Sequence, residues 1–323
     1  MYDISIIIPL YNCENYINQA IDSIIDQNDV KTEIIVVNDG STDDSLKKLS
    51  AYGSSIKVVT TSNQGASAAR NTGLRLASSK YVMFLDADDF LNDKNICKEV
   101  IEKMERLKCQ VGMFLYTYYN NQTKKETHLK CFPAEIVEKT ACSELVYNLI
   151  SCGIIPMTPC CKVIERNFLL ANNLFFLEGM TAEDIEWFVR LIIKLDRFCL
   201  INNDSYMYRK NLEMSVTGND TRLKNENHYF MINRSVQELY GVDDQRKRNA
   251  LFSALAYQFC IWCSKASHYL EKEEFHEKVN SLLWILNYDL FPRVRYVRWL
   301  YKCIGDKIYT ILSLYYSFLS KSK

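Results

Sequence analysis

The apolar run from Tyr81 to Leu85 drives into three carboxylates, Asp86, Asp88 and Asp89, spaced D-x-D-D. A buried strand that ends in clustered Asp can present two acids to one hard cation, and that cation can in turn hold a diphosphate. Asp86 and Asp88 are therefore the first candidates for a metal and nucleotide site. The same spacing also suits a solvated, acid-rich turn, so the rest of the chain has to decide. A second group of acids, Glu183, Asp184 and Glu186, lies between Thr181 and Trp187. It could accept a proton, or it could be the first turn of a helix from Trp187 to Lys194, favoured there by the helix dipole.

Elements must bring such residues together. Ile4 to Leu10, Glu33 to Val37, Ile56 to Thr60 and Tyr81 to Leu85 read as four strands, continuous apolar runs of the kind buried on both faces. Helical segments lie between them: Glu14 to Gln27, Ser45 to Tyr52, and Ala66 to Ala77 after Gly65. This alternation predicts an α/β fold with a parallel sheet flanked by helices, whose ligands bind beyond the carboxyl ends of the strands. Those ends carry Pro9, Tyr11 and Asn12; Asn38, Asp39 and Ser41; and Asp86, Ala87 and Asp88.

Neither the G-x-G-x-x-G fingerprint after the first strand nor a G-x-x-x-x-G-K-[ST] loop is present, so a diphosphate here would need its charge met by a cation. Cys260 and Cys263 have zinc-like spacing but lack a second ligand pair, which favours buried thiols. The four histidines are scattered and form no metalloprotease pair. A formal charge of +0 gives no support to a nucleic-acid binder that relies on a strong positive field, and 48% hydrophobic residues argue against disorder. The opening from Met1 to Asp3 runs straight into a strand pattern, so the expectation is a cytoplasmic chain with reduced thiols.

With 323 residues, a catalytic domain plus a smaller helical region is expected, divided as 1–220 and 221–323. From Arg293 to Lys323, seven Lys or Arg against Asp306 leave a local charge of +6. Val297, Tyr301, Ile304, Ile308, Ile311, Tyr315 and Phe318 recur at helical spacing, which suits either a helix on an anionic membrane surface or a stripe packed on the protein's own core. No stretch is apolar enough to span a bilayer. The helical region leaves three services open: the acceptor, a partner chain such as a second copy in a homodimer, or the membrane.

The blocks Ile6 to Asn12, Glu33 to Asp43, Asn63 to Gly73, Leu85 to Asp89 and Glu183-Asp184 together resemble, in that order, the family 2 inverting glycosyltransferases of GT-A fold. The likeness covers the first ninety residues best, is fair around 155 to 217, and is absent beyond. It implies a GT-A (Rossmann-like), mostly parallel central sheet with an α-helical C-terminal region. It also implies transfer of a sugar from a nucleoside diphosphate donor to a saccharide or lipid-linked acceptor in surface-polysaccharide assembly. Nucleotide contacts are implied at Pro9, Tyr11, Asn12, Asp39, Arg70, Asp86 and Ala87, with Tyr11 against the base and Asp39 accepting from the base N–H, a pairing that suits uracil. Asp88 would hold Mg²⁺ or Mn²⁺, Asp184 would take the acceptor proton beside Glu183, and Arg209 and Ser215 could touch phosphate or acceptor.

Three departures qualify the likeness. Asn38 stands where the family often has Asp, and no aromatic precedes Lys162. Arg295 to Trp299 only partly matches the Q-x-x-R-W of processive synthases, so one sugar per encounter is expected. Tyr206 to Lys210 reads most simply as a plain edge strand. Two other classes remain in view. A D-x-D phosphohydrolase would expect Thr or Val soon after the second Asp, where this chain has Asp89-Phe90. A non-catalytic nucleotide-binding protein would not need Asp88 and Asp184 intact.

Overall fold

The computed structural model describes residues 3–25, 27–210, 220–305, 309 and 312. The chain groups into two compact units: Met1–Ala141 with Thr158–Met180 and Lys194–Ser215, and Cys142–Met157 with Thr181–Ile193 and Val216–Lys323.

The first unit is built on a seven-stranded sheet of β1 (Ile4–Leu10), β2 (Thr32–Asn38), β3 (Lys57–Thr60), β4 (Tyr81–Phe84), β6 (Val111–Met113), β9 (Lys162–Glu165) and β10 (Phe198–Leu200). Its order is β10-β6-β9-β4-β1-β2-β3. Every pairing is parallel except those of β9, which runs antiparallel between β4 and β6. The helices α1 (Ile17–Ile25), α2 (Ser45–Leu49), α3 (Ala66–Leu76), α4 (Ile96–Leu107), α5 (Ala134–Val137) and α7 (Arg166–Ala171) complete the α/β fold expected from the alternation. In β1 the side chains of Ile4, Ile6, Ile7 and Ile8 are fully buried, as a central strand covered on both faces requires. Helix α3 lies close on β1: a β-carbon added at Gly73 would stand 2.3 Å from Ile7, so only glycine fits.

One strand departs from expectation. The run at Ile56 to Thr60 reads as buried, yet β3 is the sheet edge and Val58 is 38% exposed. Apolar composition reports β propensity there, while the neighbour on each side is set by the fold.

A second sheet of four strands, β5 (Phe90–Leu91), β7 (Tyr116–Asn120), β8 (Glu126–His128) and β11 (Tyr206–Lys210), has the order β5-β11-β7-β8. Its strand β11, read from sequence as an edge, is interior, paired antiparallel to β5 and parallel to β7.

The second unit is helical: α6 (Cys142–Ser151), α8 (Glu183–Lys194), α9 (Arg222–Leu239), α10 (Gln245–Ala266), α11 (Lys272–Leu282) and α12 (Pro292–Ile304). Helix α10 is its axis, with Phe259, Trp262, Cys260 and Cys263 all fully buried. The Trp262 indole N–H donates to the Asn225 carbonyl at 2.9 Å. All twelve cysteines of the chain are free thiols. Among the described residues no helix is long and apolar enough to cross a membrane.

Candidate functional site

The loops after β1 and β2 are laced together. The Asp39 N–H donates to the Leu10 carbonyl at 2.8 Å, the Asn12 N–H donates to Ser41 Oγ at 3.1 Å, and Asn12 Oδ1 accepts from the Thr42 N–H at 2.8 Å. Asn12 takes the left-handed backbone region (φ 50°) that Asn tolerates best after glycine. Pro9, which has no amide to donate, sits where the pairing of β1 with β4 has already ended at Ile7. Tyr11 follows as a 46% exposed residue whose ring is open to stacking.

Asp39 is buried and carries the next loop on both carboxylate oxygens. Oδ1 accepts from Thr61 Oγ1 at 3.2 Å and from the Gln64 N–H at 2.9 Å, and Oδ2 accepts from the Gly65 N–H at 2.7 Å. A carboxylate offers about four lone-pair positions. Three of them fix the entry to α3, so Oδ2 retains room for one further donor such as the N–H of a base.

Helix α3 then delivers Arg70, whose Nη2 donates to Asp86 Oδ1 at 2.8 Å while the guanidinium lies 5.5 Å from the Phe176 ring. On the same helix Asn71 pins the segment after α7: its Nδ2 donates to the Phe176 carbonyl at 2.9 Å and to Glu178 Oε1 at 2.8 Å, and its Oδ1 accepts from the Phe176 N–H at 2.8 Å.

The D-x-D-D turn is held from behind by β11. Asp89, buried, accepts the Tyr206 hydroxyl at 2.6 Å and the Arg209 N–H at 2.7 Å. The Arg209 side chain is also engaged, Nε with the Asp88 carbonyl at 2.6 Å, Nη1 with Asn121 Oδ1 at 2.9 Å and Nη2 with Gln19 Oε1 at 2.8 Å. The rings of Tyr16, Phe90 and Tyr119 surround it at 5.0, 5.0 and 5.3 Å. Arg209, expected against phosphate or acceptor, thus braces the turn that carries Asp88; Ser215 lies outside the described residues. The sequence does not reveal the bracing roles of Asp89 and Tyr206. Asp89 stands within the motif, but its partners are more than a hundred residues away, and sequence spacing carries no signal for them.

Electrostatics single out the same turn. Burial, then the neighbouring Asp86 carboxylate, push the Asp88 acid up to about 6, and Asp89 is raised well above the usual carboxylate range by burial and by Asp88. The Cys13 thiol after β1 is pushed up to about 12 by burial, then by the charges of Asp88, Asp43 and Asp86, which places the β1 end within the field of the acid cluster. An acid cluster whose ionisation is opposed by its surroundings is one that an added cation would relieve. Among the described residues no group of three or more His, Cys, Asp or Glu converges to hold a metal on protein ligands alone. One or two carboxylates with the remaining positions filled by phosphate oxygens is the arrangement Mg²⁺ and similar ions accept, so Asp86 and Asp88 fit a substrate-borne cation. A hollow of about 640 Å³, lined by Asp3, Asp29, Lys80 and Tyr81 among others, lies at the opposite, amino ends of the strands and contains none of these residues.

Glu183 and Asp184 belong to the second unit. They open α8 with Glu186 in its acidic first turn, as the dipole favours. Ala182, immediately before them, has φ 60°, a left-handed conformation that costs a residue with a β-carbon about 1 kcal/mol. Thr181 is held by Asn227 of α9, Nδ2 to Oγ1 at 3.3 Å. Glu186, fully buried, receives Arg190 Nε at 2.7 Å and Arg234 Nε at 3.0 Å. The start of α8 is therefore fixed on both sides of the two acids.

The family model described as Glycosyl transferase family 2 matches residues 5–170. Over 120 residues, 36% of this chain, the sequence is 39% identical to glycosyltransferase GlyA of Streptococcus pneumoniae serotype 4, although the matched stretch spans only 17% of that protein's length. The structure resembles residues 1–349 of TarS from S. aureus in complex with UDP-GlcNAc, with a TM-score of 0.72 at 20% identity, covering 98% of this chain and 91% of that one. It also resembles glucosyl-3-phosphoglycerate synthase from Mycobacterium tuberculosis in complex with Mn²⁺ and UDP, with a TM-score of 0.51 at 20% identity over 72% of this chain and 80% of that one.

Proposed function

Because this chain belongs to glycosyltransferase family 2, we propose that it transfers one sugar per encounter from a UDP-sugar to a saccharide or lipid-linked acceptor in cell-surface polysaccharide assembly. Its place would be cytoplasmic, at the inner membrane face, with residues 1–220 for catalysis and 221–323 for acceptor, membrane or a second copy. The reading rests on one observation above the others: the D-x-D turn follows β4, two strands from the β2 end that carries Asp39, and is clamped from behind by Tyr206 and Arg209. UDP-GlcNAc and UDP with Mn²⁺ in the two structural neighbours support a uridine donor and a divalent cation.

In this scheme Tyr11 stacks on the base and Asp39 Oδ2 accepts its N–H, with Pro9, Asn12 and Ala87 shaping the surrounding backbone. Arg70 orients Asp86 toward the ribose, and Asp88 would hold Mg²⁺ or Mn²⁺, which would supply charge neutralisation to the departing diphosphate. Asp184 removes the acceptor hydroxyl proton as the new bond forms at the anomeric carbon and the bond to the diphosphate breaks, and Glu183 beside it helps to orient the acceptor. One base opposite the leaving group gives inverted stereochemistry. Titration calorimetry with UDP, GDP and CDP, each with and without Mn²⁺, tests the reading. Binding of UDP that tightens with Mn²⁺ is expected. Equal binding of all three nucleotides, or phosphate release from a phosphosugar without nucleotide, would replace it.

A further inference from the structure

Helix α12 buries Val294 and Val297 within the second unit, and this settles which side of the helix faces its own core. The opposite side carries Pro292, Arg293, Arg295, Tyr296, Trp299, Lys302 and Cys303, all exposed. At about 100° per residue, Tyr296, Trp299 and Cys303 occupy the middle of that arc, Arg295 and Lys302 one edge, and Arg293 the other. The two aromatic rings are stacked at 6.0 Å and remain 60% and 57% exposed. No acid occurs between Pro292 and Ile304.

Among the described residues, no acid pairs with Arg293, Arg295 or Lys302. Arg293 donates to the neutral Tyr257 hydroxyl, and Arg295 to the carbonyls of Asp289 and Leu290. The described acid beside the helix, Asp289, pairs with Arg298, which lies outside the aromatic arc. A ring pair with polar tips, bordered on both edges by exposed cations, matches the headgroup layer of a bilayer, where Trp and Tyr settle and anionic lipids attract Lys and Arg. A protein partner would instead have to bury three desolvated charges.

We infer that the exposed face of α12 docks on an anionic lipid surface, with Tyr296 and Trp299 entering the headgroup layer. The docking is argued independently of the reaction assigned to the chain, because none of the residues assigned to the donor lies on α12. The test is cosedimentation of the full chain with vesicles of phosphatidylglycerol and phosphatidylcholine, and with phosphatidylcholine alone. Two variants accompany it, Tyr296→Ala with Trp299→Ala, and Arg293→Gln with Arg295→Gln and Lys302→Gln, each checked for folding by circular dichroism.

The parent should bind the anionic vesicles only and release in 1 M salt. Each lost cation should lower partitioning roughly fivefold, so the triple variant falls on the order of a hundredfold. The aromatic variant should lose binding while keeping its fold. Absence of binding to anionic vesicles, or binding unchanged in both variants, overturns the inference. So does sedimentation velocity showing a dimer, without lipid, that the aromatic variant dissolves, for the face would then belong to a second copy.

Discussion

Asp88 makes the fold less stable at neutral pH than it would otherwise be, and the size of that effect can be worked out. Burial and Asp86 raise its acid from 3.8 to about 6, and each tenfold change in proton affinity corresponds to about 1.4 kcal/mol. Below pH 4 the group is protonated in both folded and unfolded chains and has no effect. As pH rises, the unfolded chain releases its proton first, so stability falls between about pH 4 and 6 and stays lower by roughly 3 kcal/mol above that window. Asp88→Asn, of equal volume and without the charge, should therefore stabilise the protein by about 2–3 kcal/mol at pH 7.5 in EDTA, with the gain shrinking toward zero at pH 4. Urea unfolding followed by circular dichroism at the two pH values reads this directly. Mn²⁺ with UDP should narrow the gap, because only the parent gains a counter-charge. The variant should transfer no sugar. A gain that is absent at pH 7.5, or equal at both pH values, would refute the placing of Asp88 in a charge-opposing environment.

Other outcomes follow from the same geometry. Tyr206→Phe removes one short hydrogen bond to a buried acid and should cost about 2 kcal/mol in urea unfolding, with weaker UDP binding by calorimetry because Asp89 no longer fixes the turn. Asp39→Asn sets an amide NH₂ against the Gly65 N–H, so either the loop or its carboxamide must turn. A loss of about 1–3 kcal/mol and at least tenfold weaker UDP binding are expected, both measurable on one sample. Asp184→Asn should leave UDP affinity within about twofold while sugar transfer, followed by UDP release, falls by roughly 10² or more.

Much of this was legible in the sequence, for identifiable reasons. Strands β1, β2 and β4 declare themselves because central parallel strands are apolar without interruption. The polar residues at their carboxyl ends then converge by topology alone. Strand β3 misleads because a short Val pair says nothing about what lies beyond it. The second sheet is hidden for a related reason: Tyr116, Tyr118, Tyr119 and Tyr208 are half-buried, and its pairing of Tyr116–Asn120 with Tyr206–Lys210 spans ninety residues. A still longer separation, 117 and 120 residues, hides the anchoring of Asp89, whose partners Tyr206 and Arg209 arrive only after α8. In α12 the helical stripe is visible in the sequence, and burial of Val294 and Val297 identifies which flank is covered.

The stretch matched by the family model stops at residue 170, whereas the brace behind Asp88 comes from residues 206–210 and the β10 partner of β6 from 198–200. A fragment cut at the end of the match would leave Val111–Met113 as an open, fully apolar margin prone to join other chains, and the acidic turn without its buttress. A piece that keeps this turn braced therefore has to run at least to Lys210, and deletion mapping that halts earlier would report misfolding in place of lost chemistry.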